Sequence, residues 1–382
     1  MQITFDKEVL AKATKWVVDI VDSKNDTATV RMEVTDTIVT FSSISMYGER
    51  STKVDADIKD AGDEAQVFEL HAAALKKIPS QATSDSIVFK YDPKKDKTRF
   101  QVNGGVRLRV PLVSSADRPI HGSKGMVDVG SLVPADLFNV VRQLSVIPDP
   151  SGQLPVFQCL DFETDGEGTL RVLATDGYTF AFQKLTYNAK SDEAQHFLLT
   201  VGDVKGLQDA KDASTVELYV NDNAVLLEFD DGNTARVNQV KAETPDYSAM
   251  IFDERDDETF TFDRKELQTA VTKLGAWNSE TNVYMHLDPD AGEITVSSAA
   301  GDWSAQVPMK DNTLSSPLDF IFVKNILLKT LRSSERDDLR GRVVRESDNP
   351  NELRIVIWDQ LKADGEKDED VYSLNMSNPD EE

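Results

Sequence analysis

Four histidines could ligate a metal or move a proton: His71, His121, His196 and His286. A helix-borne zinc pair of the HExxH type needs two histidines one turn apart on one face, and these four are scattered. The run Asp253-Glu254-Arg255-Asp256-Asp257-Glu258 concentrates carboxylates. It has no strand framework and reads as solvated charge in a linker. Asp176 or Asp246 could serve a carboxylate-dependent hydrolase, which metal-dependent turnover would reveal. No glycine-rich loop of the phosphate- or dinucleotide-binding kind is present. Cys159 is the one cysteine, so no intrachain disulfide can form. In Val156-Phe157-Gln158-Cys159-Leu160 it reads as a buried small hydrophobe. No catalytic residue, metal or cofactor is expected.

The other chemistry on offer is charge. The net charge of −25 argues against a polyanionic partner unless the cations are gathered in one place. Where they are gathered depends on the elements that carry them. Ile3-Thr4-Phe5-Asp6-Lys7 with Leu10 and Ala13 matches Phe260-Thr261-Phe262-Asp263-Arg264 with Leu267 and Ala270. Both read as a strand, an aspartate cap and an amphipathic helix. Leu132-Val133-Pro134-Ala135-Asp136 with Leu137 and Val140 is a weaker copy. A second marker is an apolar strand leading into a helix, at Phe68, Phe197 and Phe320. Both markers recur at about a third of the 382 residues, which is the mark of an internal repeat. Alternating strands follow each second helix, with turns at Asn103-Gly104-Gly105 and Asp231-Gly232-Asn233. The fold class is therefore α+β, three repeated domains of two helices on antiparallel sheet. Their bounds are 1–124, 125–253 and 254–382.

Helices are expected over 7–20, 71–78, 133–144, 203–211, 264–276 and 323–332. These six segments hold 14 basic and 6 acidic residues, and the rest of the chain holds 28 and 61. Lysine and glutamate are comparable helix formers, so the near absence of glutamate is not a matter of propensity. The helices read as facing one polyanion while an acidic sheet faces away. No apolar run reaches membrane-spanning length, and the amino-terminal residues alternate like a strand rather than a signal sequence. A soluble, cytoplasmic protein is expected.

The middle third contains Leu173-Ala174-Thr175-Asp176-Gly177-Tyr178-Thr179-Phe180-Ala181 and Thr244-Pro245-Asp246-Tyr247, and the chain ends near Val371-Tyr372-Ser373-Leu374-Asn375-Met376. These segments resemble, in order, the ATDGHRLA strand, the FPDY linker and the C-terminal MPMR strand of the bacterial DNA sliding clamp, the β subunit of DNA polymerase III. The opening helix is similar too. The resemblance implies a non-enzymatic processivity factor for DNA replication. Two copies would form a head-to-tail homodimer, a six-domain ring lined by helices, around double-stranded DNA without sequence preference. Asp176-Gly177 becomes a turn. Ring opening and ATP use would belong to a separate clamp loader.

Lys24 matches a DNA-contacting position of that family. Lys12, Lys15, Lys76, Lys77, Arg142, Lys205, Lys273, Lys324, Lys329 and Arg332 join it by helix placement. The resemblance further implies an apolar cleft that takes short linear peptides of the replicative polymerase and the clamp loader. It would be lined by Phe157, Thr175, Gly177, Tyr178, Phe180, Pro245, Met250, Leu374 and Met376. Tyr178 and Thr179 replace the family's His and Arg. Ser248 and Ala249 replace a basic pair, Asn375 and Ser377 replace Pro and Arg, and Asp380-Glu381-Glu382 runs past the usual end. These departures point to a different partner peptide and to a divergent copy, such as one carried by a phage or mobile element. The competing binding-class reading is an acidic DNA mimic that shares the fold and never encircles DNA.

Overall fold

A computed structural model describes residues 1–21, 27–62, 64–114, 120–245, 258–277, 281–345, 353–358 and 371–374, with backbone alone from 344 onward. The chain divides into two compact units. One comprises Met1–Asp136, Tyr187–Glu193 and Gly202–Gln239; the other comprises Leu137–Thr186, Ala194–Val201 and Val240–Glu382.

The first third runs β1 (Gln2–Asp6), α1 (Lys7–Val18), β2 (Thr29–Val34), β3 (Ile38–Ser45), β4 (Gly48–Asp55), β5 (Asp57–Lys59), β6 (Gln66–His71), α2 (Ala72–Gln81), β7 (Ser86–Asp92), β8 (Asp96–Asn103) and β9 (Arg107–Val113). The middle third runs β10 (Val127–Leu132), α3 (Pro134–Leu144), a 3₁₀ turn (Pro155–Gln158), β11 (Cys159–Thr164), β12 (Thr169–Thr175), β13 (Thr179–Thr186), β14 (Asn188–Ala189), β15 (His196–Thr200), α4 (Val201–Lys205), a second 3₁₀ turn (Gln208–Ala210), β16 (Val216–Asn221), β17 (Ala224–Phe229) and β18 (Asn233–Asn238). The last third runs β19 (Glu258–Asp263), α5 (Arg264–Trp277), β20 (Asn282–Asp288), β21 (Glu293–Ser297), β22 (Ser304–Asn312), β23 (Leu318–Val323), α6 (Lys324–Arg332), β24 (Asp338–Arg345), β25 (Leu353–Trp358) and β26 (Val371–Leu374).

One topology recurs three times. Each third builds a four-strand ladder, ordered β6-β2-β3-β4, β15-β11-β12-β13 and β23-β20-β21-β22. Each also builds a five-strand ladder, ordered β5-β1-β7-β8-β9, β14-β10-β16-β17-β18 and β22-β19-β24-β25-β26. In the last third the single long strand β22 serves both ladders. Its first half pairs with β21 and its end, from Met309, pairs with β19. The repeats are then sewn together by one rule. The last strand of a four-strand ladder pairs antiparallel with the last strand of the next third's five-strand ladder. So β4 pairs with β18, Gly48 opposite Val237, and β13 pairs with β26, Thr179 opposite Leu374. With the end of β9 also paired to β6, the first unit holds one continuous 14-stranded sheet and the second a 12-stranded sheet.

The helices follow from capping and stripe. Asp6 accepts from the amides of Glu8 and Val9, satisfying donors that the first turn of α1 cannot. Asp263 does the same for Glu266 at α5. The middle copy substitutes Pro134 at the first position of α3, where a missing N–H costs nothing; that is why its sequence match is weaker. Leu10, Ala13 and Val17 bury one face of α1, and Leu267, Ala270, Val271 and Leu274 bury the same face of α5. In the core of the first unit Phe5 packs edge-on to Phe89, centroids 5.3 Å apart. In the second unit, away from α5, Phe162 stacks on Phe197 at 5.1 Å. Each such fully buried ring contributes about 1.5–3 kcal/mol.

One helix departs from expectation. The segment 203–211 is not one helix; α4 starts at Val201, ends at Lys205 and gives way to the 3₁₀ turn. Gly206 explains the break, since a Cβ there would meet Arg50 Nη2 at 2.6 Å. The chain gives up helix at this point to admit a guanidinium. Arg50 lies over the Trp16 ring, 4.8 Å from its centroid, and donates to the Trp16 carbonyl at 3.2 Å. Burial lowers its pKa, against the pull of Asp19, Asp209 and Asp203. No helix among the described residues is long and apolar enough to cross a membrane.

Candidate nucleic-acid and peptide-binding surfaces

The helical cations sit opposite the buried stripes. Lys12, Lys77, Lys205, Lys273 and Arg332 are exposed, while Lys324 is half-buried with its stem against Gly275. Lys12, Lys77, Lys273 and Arg332 make no ion pair among the described residues. Others are engaged. Lys15 reaches Asp209, Lys76 lies 3.5 Å from Asp19, and Arg142 is paired with Glu335. These partners are themselves exposed, and exposed pairs of this kind contribute only about 0–1 kcal/mol. A phosphate can exchange for such a carboxylate at little cost. Lys329 differs. Its ammonium donates to Asp176 Oδ2 at 2.6 Å and to the Ile147 carbonyl at 3.2 Å, and the Asp176 side chain is 6% exposed. Lys24 lies outside the described residues.

The peptide-cleft candidates fall on the second unit. Asp176 and Gly177 form the tight turn between β12 and β13. Asp176 Oδ1 accepts from the amides of Tyr178 and Thr179, and Thr175 Oγ1 accepts from Gly177 N. Gly177 has φ +90° and packs directly on the Phe157 ring, which a Cβ would meet at 3.1 Å. Phe157 also packs on Val156, Cys159 and Leu198, with Val240 and Ala242 alongside. The 3₁₀ turn, the β12–β13 turn and the start of the segment leading to Pro245 are thus gathered around one half-buried ring. Thr175 and Phe180, opposite each other across β12 and β13, are buried, Tyr178 is 69% exposed, and Pro245 is exposed. Leu374 enters through its backbone, paired with Thr179 in β26. Met250 and Met376 lie outside the described residues.

One group of side chains was not foreseen. Histidines scattered in sequence gave no sign of a ligand set, yet cross-strand register gathers Asp161, Glu163 and His196. Their ligating atoms lie within 4.8 Å of one another. Glu163 stands opposite His196 on one side and Arg171 on the other, and Asp161 is two residues along β11 on the same face. The close approach of Asp161, opposed by burial, holds the His196 pKa above its ordinary value.

No family model and no curated protein matches the sequence. Solved structures do match along its whole length. A Pseudomonas aeruginosa sliding clamp, the DNA polymerase III subunit beta, bound to griselimycin gives a TM-score of 0.83 at 16% identity, covering 99% of each chain. A Caulobacter crescentus beta sliding clamp gives 0.80 at 18%, again with 99% of each covered. The DNA polymerase III beta chain of Streptococcus pneumoniae gives 0.80 at 14%, with 99% of each covered. The chain therefore has the sliding-clamp fold from end to end, at an identity where the backbone path persists and most side chains do not.

Proposed function

We propose that the chain is a DNA sliding clamp: a non-enzymatic ring subunit that encircles duplex DNA and tethers a replicative polymerase, a clamp loader and other DNA-processing proteins. The observation that carries this reading is the sewing rule between repeats. Among the described residues it is satisfied at β4–β18 and β13–β26, while β9, whose end pairs with β6, and β22, shared between β19 and β21, lack the partner that the rule assigns them. Two copies placed head to tail satisfy the rule at every position, pairing β22 of each with β9 of the other. Such closure would cover the free flanks of β9 and β22, while β5, β14, β15 and β23 stay at the sheet ends. Three domains per chain, bounded near residues 124 and 253, then make a homodimer of six.

Exposed, unpaired cations on α1, α2, α5 and α6 support a helix-lined hole. Contacts of that type neutralise phosphates and read no bases. The acidic remainder of the chain, which accounts for the net charge, suits a surface turned away from DNA. The gathering of Phe157, Gly177 and Phe180 on the second unit supports a peptide cleft there. Exposed Tyr178, where the family has His, would alter its preference.

Retention on DNA decides the main claim. A loaded clamp stays on closed circular DNA and slides off once the circle is cut. Equal loss from circular and linear forms, or a strictly monomeric protein at micromolar concentration, would remove the tethering function. The cleft is tested separately, by titrating short peptides of the polymerase and loader encoded alongside the clamp into wild type, Phe157→Ala and Met376→Ala. Losing one well-packed anchor contact of about 1.5 kcal/mol weakens binding roughly tenfold; equal affinity for all three proteins would place the peptide elsewhere.

A further inference from the structure

We infer that Asp161, Glu163 and His196 form a binding site for a zinc-type divalent cation, remote in chemistry from both DNA and peptide binding. The site is built by the sheet rather than by a loop. Asp161 and Glu163 alternate along β11 and so project from one face, and His196 is the direct cross-strand neighbour of Glu163 on β15.

Asp161 is the anomalous member. Its side chain is 4% exposed, flanked across the strands by Leu198 and Leu173, and neither carboxylate oxygen accepts a hydrogen bond. His196 Nε2 comes within 2.7 Å of Oδ1, but off the direction a hydrogen bond requires. A buried carboxylate left in this state is costly unless a positive charge meets it. Arg171 Nη1 lies 3.2 Å from Glu163 Oε2, on the side away from His196, where it holds the Glu163 side chain in place.

A dication would give the Asp161 carboxylate the partner it lacks. One nitrogen and two carboxylate oxygens are a ligand set for zinc, with bonds of about 2.0–2.2 Å, rather than for magnesium or calcium, which take oxygen alone. Ligand atoms already within 4.8 Å of one another need only a small contraction to reach one ion. Three protein ligands leave a further position to water. The bound ion would also fasten β15, the edge of the 12-stranded sheet, to β11. None of this depends on whether the chain encircles DNA.

The test uses the full-length protein, stripped with a chelator and titrated with Zn2+, and with Co2+ as a spectroscopic stand-in. One ion per chain is expected, with a visible Co2+ absorption band and a melting temperature raised by Zn2+. His196→Gln should weaken binding at least tenfold and abolish the band, with an unchanged circular dichroism spectrum because His196 is half-exposed. Asp161→Asn should do the same, and if it fails to fold the histidine variant decides alone. The inference is overturned if wild type binds no ion, or if His196→Gln binds as tightly as wild type. The second result would move the ion to another pair, such as His121 with Glu49 or His286 with Asp319.

Discussion

Lys329 and Gly177 meet the same turn and fail in different ways when changed. Removing the ammonium in Lys329→Ala leaves Asp176 Oδ2 nearly buried without its cation, while Oδ1 keeps two amide donors. The expected cost is about 1–3 kcal/mol, and adding Asp176→Asn should recover most of it. Chemical denaturation of the three proteins checks this. A loss of only a few tenths would mean that Lys329 is as free to leave as an exposed lysine, and so available to a phosphate. Gly177→Ala combines a left-handed backbone with a clash on Phe157. Gly292, with φ +68° and open space around it, isolates the backbone part. Both alanine variants should lose about 1–2 kcal/mol, but the glycine at 177 alone should also weaken peptide binding. Equal peptide affinity in the two would separate Phe157 from the cleft.

At the scale of elements, the proposed junction between β9 and β22 invites a direct trial. Successive N–H groups along a strand point to opposite neighbours. Of two adjacent residues in the first half of β22, one donates to β21 and the other to the unpartnered side. Ala305→Pro and Gln306→Pro should therefore differ. One should cost stability, and the other should give a folded monomer by sedimentation. Two dimers of undiminished stability would argue against the proposed pairing. The sequence disclosed the repeats because capping aspartates and apolar helix stripes are local signals, visible at Asp6 and Leu10 and again at Asp263 and Leu267. It misplaced α4 because the reason for the break at Gly206 is Arg50, more than 150 residues earlier. It concealed Asp161, Glu163 and His196 for the same cause: register between β11 and β15 brings them together, and register is not written at either strand alone. Half of the proposed peptide cleft was legible as a motif at 173–181. What the motif could not convey is that Phe157 fits over a residue with no side chain.

For the whole molecule, the cations that bear most directly on DNA are those with no ion-pair partner among the described residues. Reversing Lys12, Lys77 and Lys273 to Glu should reduce retention on circular DNA at least tenfold at low salt, and flatten its dependence on salt, since each lost phosphate contact removes about one released counterion. The melting temperature should hold. Unchanged retention would dissociate the helices from DNA. The strands proposed to meet between copies, β9 and β22, are chemically alike. Each contains a proline, Pro111 in β9 and Pro308 in β22, and a proline has no N–H to give. The internal junctions β4–β18 and β13–β26 contain none in either strand. If two copies close as proposed, the joint between chains is poorer in backbone bonds than the joints within them, and it is the one that parts first. How long such a ring rides on its track is then set by the lifetime of that seam. A protein clasping DNA without gripping it would have its persistence written as a clock in two imino acids, at the only place where opening leaves the fold intact.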